Sequence, residues 1–102
     1  MTDRELIEAA AKAAGEKVPP RFYPDGSAVL LSGKRWNPLD DDGDALRLAV
    51  ALRLVVDVGT QAAHAFHEGP GEVEAHGADP AAATRRAIVR AAALAGTAPG
   101  GA

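Results

Sequence analysis

A run of carboxylates is the most unusual chemical feature of the sequence. Residues 40–44 contain four aspartates around one glycine, and closely spaced oxygen ligands of this kind can bind calcium. Neither register of a calcium loop fits, because the position that needs a bidentate glutamate is Ala49 or Ala51. We favour a helix start near Asp40, where carboxylates cap N–H groups and meet the positive end of the helix dipole. Capping does not need four aspartates, so a negative patch for a basic partner is the alternative.

The residue types that build catalytic and metal sites do not form a recognisable set. His64, His67 and His76 are the histidines of the chain, and the first two alternate to opposite faces of a predicted strand. The serines, Ser27 and Ser32, lie outside any nucleophile motif. There is no cysteine and no glycine-rich phosphate loop. We therefore predict no metal, no cofactor and no enzymatic activity.

Arginines near the carboxyl terminus could form a basic face. Arg85, Arg86 and Arg90 lie on one predicted helix, and such side chains commonly contact phosphate. The formal net charge of −3 and an aromatic content of 4% argue against a dedicated nucleic-acid binder. We favour a solvated helix surface and keep nucleic-acid binding as the alternative.

Trp36, the single tryptophan, lies just before the acidic run. In a chain this poor in aromatic residues, we favour a structural role. Tryptophan is also enriched at binding hot spots, and the nearby acids would steer a basic partner. The candidate protein-binding residues are therefore Trp36, Asp41, Asp42 and Asp44.

The elements that must position these side chains begin with three helices, near residues 3–14, 40–52 and 80–95. Thr2 and Glu5 have the spacing of a capping box, and Asp79-Pro80 combines a cap with proline at the first helical position. On the second helix, Leu46 and Leu48 lie on different faces, which predicts that it is covered on more than one side. The predicted buried stripe of the third helix contains Ile88, Ala91, Ala92 and Ala95.

Short strands fill the remaining sequence. A Pro-Asp-Gly turn between residues 21–23 and 27–32 predicts a β-hairpin of two short strands. We predict a loop over residues 33–38. Residues 54–58 are rich in valine and predict a strand, followed by weaker strands at 61–67 and 72–76. The predicted order is α-β-β-α-β-β-β-α. This is an α+β fold with four to five strands in a mainly antiparallel sheet layered with three helices.

Length and composition set the remaining expectations. The chain has 102 residues, which predicts one domain over 1–96 with a disordered Gly/Pro/Ala tail over 97–102. No apolar run approaches a membrane span, and the amino terminus has no signal-peptide core. We expect a cytoplasmic monomer or homodimer without membrane contact.

Two long stretches resemble a known family. Residues 36–50, which begin Trp-Asn-Pro-Leu-Asp-Asp-Asp-Gly-Asp, and residues 79–92, which begin Asp-Pro-Ala-Ala-Ala-Thr-Arg-Arg, together with residues 2–15, are similar to the phage ABA-sandwich domain, a family of small phage and prophage proteins. The resemblance implies a sheet layered with helices and a phage gene that acts inside a bacterium. It implies no catalytic residues, since the family has no agreed activity.

Three functions follow as hypotheses. The first is a non-enzymatic phage accessory protein that binds and inhibits a bacterial host protein, such as a component of a defence system, in the manner of anti-CRISPR proteins. The second is a nucleic-acid-binding or regulatory module that uses Arg85, Arg86 and Arg90. The third is a small hydrolase or metal enzyme whose site the sequence does not reveal.

Overall fold

The computed structural model describes residues 1–67 and 71–97. Within these residues, helices and strands alternate as α-β-β-β-α-β-β-β-α. The elements are α1 (Asp3–Ala13), β1 (Arg21–Phe22), β2 (Ala28–Val29), β3 (Arg35–Trp36), α2 (Asp42–Leu52), β4 (Val55–Val58), β5 (Ala62–Phe66), β6 (Glu72–Ala75) and α3 (Pro80–Thr97). The α+β class, the three helices and the strand at residues 55–58 are confirmed.

Local signals at the helix ends explain why the helices start where they do. The Thr2 hydroxyl accepts from the Glu5 backbone N–H at 3.1 Å, and the Thr2 N–H donates to the Glu5 carboxylate at 2.9 Å. This reciprocal capping box was predicted from the spacing. At α3, the Asp79 carboxylate accepts from the Ala82 N–H at 3.1 Å. Both helix starts therefore depend on residues within one turn of the helix.

The strands form two sheets, not the single sheet of four to five strands that the sequence predicted. β1, β2 and β3 make one antiparallel sheet, and β4, β5 and β6 make another. The predicted order was wrong at residues 33–38, which include β3 rather than only a loop. Trp36 pairs with Ala28 across the first sheet. Strands of two residues carry too little periodicity to be distinguished from a loop by pattern alone.

Helix α3 lies at the centre of the fold, between α1, α2 and the second sheet. Ala63 and Ala65 of β5 are fully buried on the sheet face that meets it. Close helix approach to α1 depends on Gly96, because a Cβ atom there would overlap the carbonyl oxygen of Ala9. Small residues on facing surfaces let these helices pack at short distance. An alanine-rich core is therefore compatible with close packing in this fold.

The orientation of α2 differs from the sequence prediction. Leu48 is 2% exposed, whereas Leu46 is 63% exposed and Val50 is also exposed. The prediction that α2 is covered on more than one side, which would have buried Leu46 as well as Leu48, was wrong. The buried face of α2 instead presents Ala45 and Ala49, whose small side chains allow the helix to pack against α3. On α3, Ile88, Ala91 and Ala92 are buried as predicted, but Ala95 is exposed.

The carboxyl-terminal boundary also needs correction. The predicted disordered tail began at residue 97, but Thr97 is the last residue of α3. The rest of that predicted tail lies outside the described residues. Gly96 therefore lies inside the helix, where it faces the backbone of α1 at Ala9.

Candidate functional site

The acidic run forms the entrance to α2, and a tight turn after Asn37 shapes it. The Asn37 carbonyl accepts from the Asp40 N–H at 3.1 Å and from the Asp41 N–H at 2.8 Å. The Asp41 carboxylate then accepts from the Asp44 N–H at 2.8 Å and is the N-cap of the helix. The cap predicted at Asp40 was therefore one residue early. Asp40 instead accepts from the Asn37 side-chain amide at 3.0 Å.

Asp44 is a buried structural acid. It is 7% exposed, and its carboxylate accepts from the Asn37 backbone N–H at 2.9 Å and from Arg47 at 2.7 Å. A carboxylate with this exposure cannot offer its charge to a partner protein. The prediction that Asp44 belongs to a protein-binding surface was wrong, because its lone pairs hold the loop to the helix.

Asp42 links the acidic run to α3. Its carboxylate accepts from Arg85 at 2.6 Å, and the Arg85 Nε donates to the Leu39 carbonyl at 2.8 Å. The Asp42 side chain is nevertheless 78% exposed, and that of Asp41 is 58% exposed. All four aspartates therefore have intramolecular partners, but Asp41 and Asp42 still present charge to solvent.

A cleft of about 640 Å³ opens beside the acidic run. It lies between the amino-terminal turn of α1, the β1–β2 turn and the segment that leads into α2. Its lining includes Asp3, Arg4, Phe22, Tyr23, Asp25 and Asp40. Three carboxylates, one guanidinium and two aromatic rings lie in this lining. Asp3 is ion-paired with Arg86 of α3 at 3.0 Å, which leaves Asp25 and Asp40 as the acids of the cleft without an arginine within ion-pair distance among the described residues.

Two side chains in the cleft, Asp25 and Arg4, have defined partners within the chain. The Ser27 hydroxyl donates to Asp25 at 2.6 Å, and the Ser27 N–H donates to the same oxygen at 2.9 Å. These hydrogen bonds hold the pKa of Asp25 below its usual value, so Asp25 is a carboxylate at neutral pH. The Arg4 guanidinium lies over the Phe22 ring, 4.6 Å from its centroid. This wall of the cleft therefore already accommodates a guanidinium group.

Trp36 does not take part in this surface. It is 8% exposed and belongs to the core, which confirms the structural interpretation and makes the exposed-anchor interpretation wrong. Tyr23 is the aromatic residue that the cleft exposes, at 48%. Sequence reasoning missed Tyr23, although its position just before the Pro-Asp-Gly turn places it at the tip of a hairpin.

The arginines of α3 are engaged in ion pairs. Arg86 lies 3.0 Å from Asp3 and 3.2 Å from Glu74, and Arg90 lies 2.8 Å from both Glu72 and Glu74. These contacts join α3 to α1 and β6. Because carboxylates balance each of these arginines, they do not form a face of excess positive charge. Nucleic-acid binding by Arg85, Arg86 and Arg90 stays a prediction that no contact here favours.

The histidines lie apart from the cleft. The His64 ring contacts the Phe66 ring in a tilted arrangement, with centroids 4.6 Å apart, and among the described residues the buried Nε2 of His76 has no hydrogen-bond partner. In the part of the chain that the structure describes, no group of three or more histidine or acidic side chains is arranged to hold a metal ion.

Comparison of the chain with protein-family models, with curated proteins and with solved structures finds no match. Over residues 1–67 and 71–97, none of the helices has the length and hydropathy that a bilayer crossing requires.

Proposed function

We propose that this protein acts by binding a bacterial host protein and inhibiting it, as a phage-type accessory protein directed at a host defence system. The observation that carries the proposal is the acidic cleft beside the exposed carboxylates of Asp41 and Asp42. The biological setting of the proposal comes from the resemblance of residues 2–15, 36–50 and 79–92 to small phage proteins. The contact is proposed to involve the cleft, with Tyr23 replacing Trp36 as the aromatic anchor.

The chemistry of the cleft suits a basic side chain of the partner. A guanidinium or ammonium group entering it would meet the carboxylates of Asp25 and Asp40 and would contact Tyr23 beside Arg35, whose guanidinium lies over that ring, 5.2 Å from its centroid. Charge-assisted hydrogen bonds and cation–π contact both favour such a group. The position of Arg4 over Phe22 shows how an arginine from the same chain uses this wall. We propose that an arginine of the partner contacts the neighbouring carboxylates of Asp25 and Asp40 in the cleft.

The exposed acids would act mainly on the rate of association. Attraction between exposed charges is screened within about 10 Å at ordinary salt, and complementary charge speeds and orients encounter more than it deepens affinity. The affinity itself is proposed to depend on Tyr23, since truncation of an aromatic hot spot commonly costs about 2 kcal/mol or more.

The experiment is comparative capture from bacterial lysate, followed by mass spectrometry. Bait proteins are the wild type, the Tyr23→Ala and Asp40→Asn variants, and Glu16→Gln as a matched control that removes one acid outside the cleft. The proposal expects one host protein to be retained by the wild type and Glu16→Gln but depleted with Tyr23→Ala. Retention of the same proteins by all four baits would reject the cleft as the contact surface. The folded state of each bait is checked by circular dichroism.

A further inference from the structure

The second sheet leaves one edge of β4 without a neighbouring strand. Within the described residues, β4 pairs with β5 alone, from Val55 opposite Phe66 to Val58 opposite Ala63. The Gly59 N–H donates to the Ala62 carbonyl at 2.9 Å. Because hydrogen-bonded and non-bonded pairs alternate in an antiparallel ladder, Val56 and Val58 direct their backbone N–H and C=O groups away from β5. These groups form a template for another strand.

An apolar groove runs beside this edge on the helix-facing side of the sheet. It has a volume of about 270 Å³ and lies between α2, α3 and β4, with Leu46, Val56 and Ile88 in its lining. Leu46 is 63% exposed, and Val50, one turn further along α2, is 68% exposed. Leu46 is the one of these two that lines the groove beside Val56, and the ion-paired Asp42 and Arg85 also lie in that lining.

The opposite face of the sheet carries charge at the same edge. Successive strand residues point to opposite faces, so Asp57 lies on the outer face between Val56 and Val58. Asp57 is exposed. A strand added beside β4 would therefore place every second side chain in the groove next to Val56. Its intervening side chains would lie on the outer face near Asp57.

We propose that the free edge of β4 binds an extended segment of a partner protein in which apolar and basic residues alternate. Backbone hydrogen bonds to Val56 and Val58 would provide the docking, and the groove and Asp57 would provide the selectivity. The groove shares no lining residue with the acidic cleft, although Asp42, one of the exposed acids beside that cleft, also lines the groove. A second copy of the chain fits less well: its edge strands β4 and β6 carry the acids Asp57, Glu72 and Glu74, and its edge strands β1 and β3, which carry Arg21 and Arg35, are only two residues long.

The probe is a short peptide of alternating lysine and valine, titrated into isotope-labelled protein and followed by amide chemical shifts. The expected shifts are confined to residues 54–59 and the exposed face of α2. A peptide of alternating lysine and proline has the same charge but cannot pair as a strand, and it is expected to bind at least about tenfold more weakly. Equal binding of the two peptides, or shifts centred on the acidic cleft, would overturn the proposal.

Two variants test the edge and the charge separately. Val58→Pro removes an outward N–H without breaking the ladder to β5, and we expect it to weaken binding of the lysine–valine peptide by about tenfold. The control, Val58→Ala, keeps the N–H, and we expect it to bind the peptide as the wild type does. Asp57→Lys is expected to reverse the preference toward a peptide of alternating glutamate and valine, which tests the site even if the proline variant fails to fold. An unchanged preference, or self-association of the wild type that buries β4, would contradict the proposed occupant.

Discussion

Replacing Asp44 by alanine probes the acid that holds the entrance of α2 together. The wild-type carboxylate accepts from the Asn37 backbone N–H at 2.9 Å and from Arg47 at 2.7 Å. The first bond is part-buried, and its loss leaves the Asn37 N–H without its partner, for which the usual cost is about 1–3 kcal/mol. The Arg47 side chain is 60% exposed, so the ion pair itself contributes about 0–1 kcal/mol.

These two contributions predict unequal effects for the two partners. Asp44→Ala should lower the free energy of unfolding by about 1–4 kcal/mol, because it removes the hydrogen bond to the Asn37 N–H as well as the ion pair. Arg47→Ala should lower it by about 0–1 kcal/mol. Urea unfolding at neutral pH, with the slope of the transition unchanged, measures both. Equal losses for the two variants would refute the reasoning, because the ion pair and not the backbone contact would then dominate.

Three further perturbations test the packing and the capping. In urea unfolding, Leu48→Ala should lower the free energy of unfolding by about 2–5 kcal/mol, whereas Leu46→Ala should lower it by less than about 0.5 kcal/mol. The reverse ranking would mean that α2 buries the face that carries Leu46. Gly96→Ala should lower the free energy of unfolding by about 1–3 kcal/mol, because the added Cβ overlaps with α1. Helix propensity alone would raise the free energy of unfolding by about 1 kcal/mol. A variant more stable than the wild type would therefore contradict the close approach of α1 and α3. Hydrogen bonds from Thr2 hold the pKa of Glu5 below its ordinary 4.5, so this contribution is present above that pH and is lost as the pH falls through the lowered pKa. The stability difference between wild type and Glu5→Gln should therefore shrink on acidification, and a pH-independent difference would exclude the capping box as its source.

The helix starts could be predicted because their signals are local. Thr2 with Glu5, and Asp79 with Pro80, each satisfy N–H groups within one helical turn. The orientation of α2 could not be predicted, since its leucines occur on two faces with similar hydrophobicity. The choice depends on which face offers small residues to α3, and the structure selects Ala45. That selection is a tertiary effect, which local periodicity does not encode.

The candidate site was predicted only in part for a related reason. The exposed acids Asp41 and Asp42 were found from composition alone. The burial of Asp44 depends on the turn at Asn37, and the partner of Asp42 is Arg85, 43 positions away. Contacts at such separation set which acids remain available to a partner. The cleft itself requires three segments of the chain to meet, and no single segment shows it.

The dissociation constant of the captured host protein, measured at low and high salt, tests most directly whether the acidic cleft is the contact surface. For the wild type, affinity should fall as salt rises, because the charges are exposed and screened. Asp40→Asn should weaken binding by about two- to fivefold at low salt, the value of an exposed charge pair, and should converge with the wild type at high salt. Equal dissociation constants for wild type and Asp40→Asn at low salt, with Tyr23→Ala also unchanged, would contradict the proposed function.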